Sequence, residues 1–466
     1  MNKNLYSHLK KYHHKVYPMH MPGHKGGRYR FIEDAYTIDV TEVPGTDHLY
    51  QASGILKESM DHIAKMYGTK KSIFLVNGST MGIISVIGGI HEAEDTVLVA
   101  RNCHQSVYHG ITLFKLKPLY IYPEVTQFGL VGGIDPRKVE EALIANPKIL
   151  SFIMTSPTYE GFISDVETIA KICHRYNVML IVDEAHGAHL PFSKSLPDSA
   201  VNLGADIVIH SMHKTLPTFT QSALLHLNLE KETERKVLKM LQMLQTSSPS
   251  YVMMAQMDMC IRQLMHQEKL WTSHSKNLEK VNNSLIKMKS IRSLSQYRNI
   301  GEGIVAKDPY KHVLLFEKSN ITGHDFNQIL RKDYNIQLEL SSKIHALGFF
   351  SIADRKSDLI SYARAIKAID KKLKPLIKPL KVAHCFDKNE KVLEPYEAFS
   401  QKSERIPISQ GLDRIAAGMI TPYPPGIPMV VPGEKITKGL IQQIHKWEEE
   451  GLEILGYEEN KVDVIL

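Results

Sequence analysis

Between about residues 70 and 230 the chain alternates short, β-branched apolar runs with longer stretches of helical periodicity. The runs are Ser72 to Val76, Thr96 to Ala100, Leu119 to Tyr122, Leu150 to Thr155, Val178 to Asp183, Asp206 to His210 and Ala223 to Leu227. Apolar runs without in-and-out alternation belong to strands covered on both faces. The pattern therefore predicts an α/β major domain with a mostly parallel sheet and helices on both sides. Residues 230 to 290 are rich in Lys, Glu, Leu, Met and Gln and poor in breakers, which predicts long linking helices. After Ser290 come a strand at His312 to Glu317, a helix near 323 to 333, a strand near Ile336 to Leu340 and a helix at Lys356 to Leu373, the pattern of a smaller α+β domain. Pro375 and Pro379 mark a linker, and the prolines of Thr421 to Pro428 and Val431 to Glu434 demand rigid loops before a last helix reaching about 450. The expected division is 1–30 as N-terminal segment and loop, 31–290 as major domain with linking helices, 291–375 as small domain and 376–466 as C-terminal domain.

Composition narrows the picture mainly by exclusion. Over 466 residues, 43% apolar and 23% charged content is ordinary for a globular protein, and no apolar run reaches membrane-spanning length. The N-terminus lacks the apolar core of a secretion signal, so a cytoplasmic protein without a membrane partner is expected. A net charge of +7, with bases interleaved among acids, argues against a nucleic-acid partner. Cys103, Cys173, Cys260 and Cys385 are scattered without metal-ligand or disulfide spacing, and the early histidines form no zinc pattern, so no metal is expected.

The chemistry lies in two turns. Asp183 closes an apolar run and so emerges at the carboxyl end of a buried strand, where open α/β sheets place ligands. Lys214 follows the next run by four residues, in the turn Ser211-Met-His-Lys-Thr215. An acid and a lysine so placed suit pyridoxal 5'-phosphate: the lysine forms a Schiff base with its aldehyde, and the acid faces its pyridine nitrogen. Taken singly, Lys214 reads equally as a solvated strand-end lysine and Asp183 as a helix cap; the ordered pair carries the reading.

The other loops of the same sheet edge add to it. Asn77-Gly-Ser-Thr-Met81 lies between a strand and a helix, which suits Ser79, Thr80 and the helix amides to a phosphate, although the same residues make an ordinary N-cap. Ser211 is a further phosphate contact. His104, in Arg101-Asn-Cys-His-Gln-Ser106, is placed to stack on the cofactor, His186 to approach its phenolic oxygen and His213 to move a proton at Cα.

Together these segments resemble the ornithine/lysine/arginine decarboxylase family of fold-type I pyridoxal-phosphate enzymes. The resemblance rests on His20-Met-Pro-Gly-His-Lys-Gly-Gly27, Asn77 to Thr80, Arg101 to Ser106, Asp183-Glu-Ala-His186, Ser211 to Lys214, Tyr423-Pro-Pro-Gly-Ile-Pro428 and Pro432-Gly-Glu434. It implies Lys214 as cofactor lysine, Asp183 as pyridine partner, His104 as stacking ring, and Ser79, Thr80 and Ser211 as phosphate cradle. It also implies a homodimer with a shared site, completed by Thr246 in the turn Thr246-Ser-Ser-Pro249, and substrate-binding acids at Glu434 and Asp47. Large members begin with a receiver-like wing and often carry Trp at the position of His186. Here the first motif starts at His20, so the chain is similar to the shorter, wingless subgroup. The implied reaction is decarboxylation of arginine, lysine or ornithine, arginine slightly preferred, on the way to polyamines. Two alternatives share the motifs: another fold-type I enzyme, such as an aminotransferase or lyase, and a catalytically silent regulatory homologue.

Overall fold

The structure, a computed structural model, describes residues 5–380, 388–423, 426–449 and 451–466. Cys385 and the pair Pro424-Pro425 of the late proline motif lie outside the described residues. The major domain is built on a seven-stranded sheet in the order Lys71–Leu75, Ala223–Leu227, Ile207–Ser211, Met179–Asp183, Ile149–Thr155, Thr96–Ala100 and Lys117–Ile121. The last five strands in this order run parallel, while Ala223–Leu227 is antiparallel to both of its neighbours. The interior strands are buried almost throughout, as uninterrupted apolar runs require. Lys117–Ile121 starts two residues before the expected run because Pro118 reads as a breaker. At a sheet edge, where this strand lies, a missing N–H costs no ladder bond.

Helix Gly78–Ile90 follows the first strand and packs against Lys231–Leu244 so closely that a Cβ on Gly89 would fall 2.6 Å from the Cα of Val237. The linking region forms three helices, Lys231–Leu244, Tyr251–Leu264 and Glu268–Ser284. The small domain is a four-stranded antiparallel sheet, ordered Arg292–Ser293, Lys311–Leu315, His345–Phe349 and Leu340–Ser341, with helices Gly323–Tyr334 and Lys356–Asp370. Its apolar residues Leu314, Phe326 and Ile366 join the same core as the major sheet. The N-terminal segment is tied to this domain, since Tyr17–Met19 pairs in parallel with Ile336–Leu338.

Beyond residue 388, Ser403–Pro407 pairs with Lys461–Ile465, and Thr421–Tyr423 with Glu453–Leu455. These elements and helix Lys438–Glu449 surround a separate small core that includes Ile406, Val430, Ile444 and Val462. Among the described residues no helix is long and apolar enough to cross a membrane.

Candidate active site

Four neighbouring parallel strands end side by side, and the loops leaving them converge. Asp183 is the last residue of its strand, paired with Thr155 on one side and Ile209 on the other. Lys214 sits in the single helical turn Met212–Thr215, directly after the strand Ile207–Ser211. One pocket is lined by both of them together with Asn102, His104, Glu160 and His186, from the loops after all four strands. The positions follow from topology: parallel strands present all their carboxyl ends on one edge.

Burial shapes the electrostatics. The Asp183 carboxyl is 4% exposed and accepts one hydrogen bond, from the Ala185 amide at 3.1 Å. Desolvation pushes its pKa up and the nearby Lys214 charge pulls it down. Desolvation likewise pushes the Lys214 amine below the usual lysine range, against the opposing pull of Asp183. Its Nζ lies 3.1 Å from His186 Nε2.

His104 caps the helix Gln105–Leu113, its Nδ1 accepting from the Ser106 amide at 3.2 Å. Burial and the Lys214 charge lower its pKa to about 3, so the ring is neutral. Gly426 presses onto it: φ is +84°, and an added Cβ would lie 3.1 Å from His104 Cδ2. Glycine is required there on both counts. Ile427, the next residue, lines the pocket, so the late proline-rich loop forms one of its walls.

The expected phosphate residues gather beside the lysine turn. Ser211 donates to Ser79 Oγ at 2.8 Å, which joins the start of helix Gly78–Ile90 to the segment carrying Lys214. Thr80, in the first turn of that helix, is exposed. The Thr246 amide donates to Asn77 Oδ1 at 2.9 Å, so the Thr246 turn lies against this loop in its own chain. His213 is held on two sides: its Nδ1 lies 3.0 Å from the Ser222 carbonyl, and its own carbonyl accepts from Gly23 at 2.8 Å.

The two acids expected to hold substrate are committed elsewhere. Asp47 is the hub of its own loop, accepting backbone amides from His48, Ser53, Gly54 and Leu56 at 2.8 to 3.0 Å. Desolvation pushes its pKa up, but these amides outweigh it and hold the carboxyl at about 2. Glu434 is fully buried and pairs with Arg101 at 2.9 Å, with further hydrogen bonds from Asn389 and the Val431 amide. Neither lines the pocket around Lys214.

Two buried ionisable groups of the site escaped the sequence reading. Glu160 lines the pocket, with a hydrogen bond from Thr158 Oγ1 at 3.4 Å and no ion-pair partner among the described residues. Burial raises its pKa to about 7. Lys311 lies 3.2 Å from His186 Nδ1 and is 1% exposed. The signal for Glu160 was the run Ser156-Pro-Thr-Tyr-Glu-Gly161, which leaves a strand at the same sheet edge as Asp183. For Lys311, the first residue of the buried strand Lys311–Leu315, no local signal exists.

The chain has the chemistry to hold an aldehyde cofactor. Asp183 has an oxygen left for a pyridinium N–H, and Asn102 Oδ1 and Thr155 Oγ1 are buried at the pocket without a hydrogen-bond partner. Comparison with known proteins agrees with this reading. Residues 3–358 match the Orn/Lys/Arg decarboxylase major domain, and residues 381–460 match the C-terminal domain of the same family. The chain is 33% identical to the uncharacterized protein YaaO of Bacillus subtilis (strain 168), over 95% of this chain and 93% of the relative. It is 30% identical to the arginine decarboxylase of the same organism, over 99% and 96% of the two chains. In fold it is similar to lysine decarboxylase A from Pseudomonas aeruginosa, with TM-score 0.81 and 20% identity over 92% of this chain and 74% of that one.

Proposed function

This chain belongs to the Orn/Lys/Arg decarboxylase family and is a decarboxylase of a basic amino acid; on that premise we propose that it works with pyridoxal 5'-phosphate on Lys214 and prefers arginine. The observation that carries the proposal is the convergence of the Lys214 amine and the Asp183 carboxyl in one buried pocket. Arginine is favoured because two relatives about 30% identical along nearly the whole chain are named arginine decarboxylases.

When bound, the cofactor supplies an electron-poor ring that takes up the electron pair left at Cα as carbon dioxide departs. The protein supplies the rest. Burial shifts the Lys214 amine toward its neutral, nucleophilic form. Asp183 offers a carboxylate in a dry setting, where a cationic N–H is its most favourable partner. Ser79, Thr80 and Ser211, with the amides opening helix Gly78–Ile90, would hold the phosphate. The neutral face of His104, pinned by Ser106 and Gly426, would cover the cofactor ring, and His186 would serve its phenolic oxygen. His213, whose Nδ1–H donates to Ser222, has an unprotonated Nε2 with which to move a proton at Cα.

The distal cation of the substrate requires a free acid. Glu160 lines the pocket and makes no ion pair among the described residues, whereas Glu434 is already paired with Arg101 and Asp47 holds its loop amides. We therefore assign Glu160 the role that the resemblance gave to those two residues. The working form in this proposal is a cytoplasmic homodimer, with Thr246 completing the site across the interface.

The test is direct. Purified protein supplied with pyridoxal 5'-phosphate should develop the visible absorbance of a lysine-bound cofactor and release carbon dioxide fastest from arginine, then from lysine or ornithine. Amino-group transfer without carbon dioxide would favour an aminotransferase, and absence of the band would favour a silent homologue.

A further inference from the structure

His186 stands between two lysines. Its Nε2 is 3.1 Å from Lys214 Nζ and its Nδ1 is 3.2 Å from Lys311 Nζ. Burial and the neighbouring lysines hold its pKa well below the ordinary value, so the ring is a neutral imidazole. Such a ring has one N–H and one lone pair. It accepts from one amine and donates to the other, and the amine that receives its N–H must be unprotonated.

The surroundings decide which amine that is. Lys311 Nζ lies 3.3 Å from the centre of the Phe349 ring, where a positive charge is favoured. It faces Asp308, whose pKa is held down despite its burial, and Glu339, with Lys214 and Lys25 opposing. Lys214 faces Asp183, whose own pKa is pushed up by burial, and Glu339. On the other sides of His186 lie the neutral rings of His104 and His213. Glu160, raised to about 7, faces Lys311. Burial lowers the Lys311 pKa to about 7, but the Phe349 ring, Asp308 and Glu339 favour the charge there over Lys214. Its stem is fixed as well: at Gly161, where φ is +90°, an added Cβ would lie 2.6 Å from Lys311 Cγ, so only glycine lets the Thr158–Gly161 turn close over it.

We propose that Lys311 is a positioning residue. It donates to Nδ1 of His186, fixes the ring as the Nε2–H tautomer, and so turns an N–H toward Lys214 that holds this amine neutral and ready to attack an aldehyde. The consequence for catalysis rests on the role given to Lys214 above; the tautomer and the titration of Lys214 do not.

The experiment uses the full-length protein freed of cofactor, trace-labelled with acetic anhydride from pH 5 to 11, with acetylation of Lys214 read by mass spectrometry. In the wild type the Lys214 midpoint should lie well below the ordinary lysine value of about 10.4. Lys311→Met frees His186 to present a lone pair to Lys214 and removes a like charge. The midpoint should rise by about one pH unit or more, a roughly tenfold smaller neutral fraction near pH 7. Lys311→Arg keeps the charge and should give a midpoint close to the wild type. An unchanged or lower midpoint in Lys311→Met, or an arginine variant as high as the methionine one, would overturn the proposal. Should Lys311→Met fail to fold, nitrogen NMR of histidine-labelled wild type decides: His186 with a bare Nδ1 and a protonated Nε2 supports it, and the reverse tautomer refutes it. Because the labelling is done without cofactor, a failure of the Lys214 assignment would appear separately, as no visible band on adding pyridoxal 5'-phosphate.

Discussion

The Arg101–Glu434 joint and the basic cluster at Lys214, both buried, are built on opposite plans. Arg101 and Glu434, 333 residues apart, meet at 2.9 Å with side chains 1% and 0% exposed. Arg101 also donates to the carbonyls of Pro428 and Met429, so the cluster locks the late loops onto the His104 motif. At Lys214, His186 and Lys311, by contrast, three basic groups crowd one side of the pocket, and burial drives all three pKa values downward. A neutralised pair resists change and suits a joint; basic groups whose protonated forms burial disfavours are poised to react. Glu434, which the family resemblance implies as a substrate ligand, lies in the joint with Arg101 and outside the lining of the Lys214 pocket.

The largest effect that would sharpen this contrast is expected at Lys214. Lys214→Ala should lower turnover by at least about 10³-fold and remove the cofactor's visible band, while urea unfolding stays close to the wild type. The joint should respond the other way. Glu434→Gln leaves Arg101 buried without its counter-charge, so we expect a loss of about 3–5 kcal/mol in urea unfolding with little change in the KM of the protein that remains folded. A rise in KM without loss of stability would return Glu434 to the pocket.

Glu160→Gln should raise KM for the cationic substrate by about 10- to 100-fold, the worth of a hydrogen bond to a charged group, and leave the visible band in place. Because burial raises the Glu160 pKa to about 7, folding favours its protonated form and loses that contribution as pH rises from the unfolded value. Substrate binding has the opposite sign: KM should fall as pH rises through about 7, and this slope should vanish in the glutamine variant. The smallest effect is at Asp47. Asp47→Ala removes its loop amides' acceptor and should cost on the order of 1 kcal/mol without moving KM. With the carboxyl held at about 2, its stabilisation is complete above the ordinary value near 3.8 and is lost as pH falls toward 2.

Much of this was legible in the residues. The seven expected strands coincide with observed ones to within about two residues, and the Asp183 and Lys214 turns open onto the same sheet edge. Both follow from local rules, since buried parallel strands need continuous apolar runs and their following loops must emerge together. Glu160 was partly legible, as an acid in a strand-end loop. Lys311 was not, because its neighbour His186 lies 125 positions away in the chain.

The sequence by itself determined the α/β sheet, the order of its strand-end loops and the pairing of an acid with a lysine, because periodicity and strand direction act over short spans of chain. Tertiary structure alone decided which charges neutralise one another and which stay unpaired. A side chain's desolvation and counter-charge depend on atoms brought close from distant segments, and that environment turned Glu434 into part of a lock, left Glu160 open to a cation and set Lys311 behind His186.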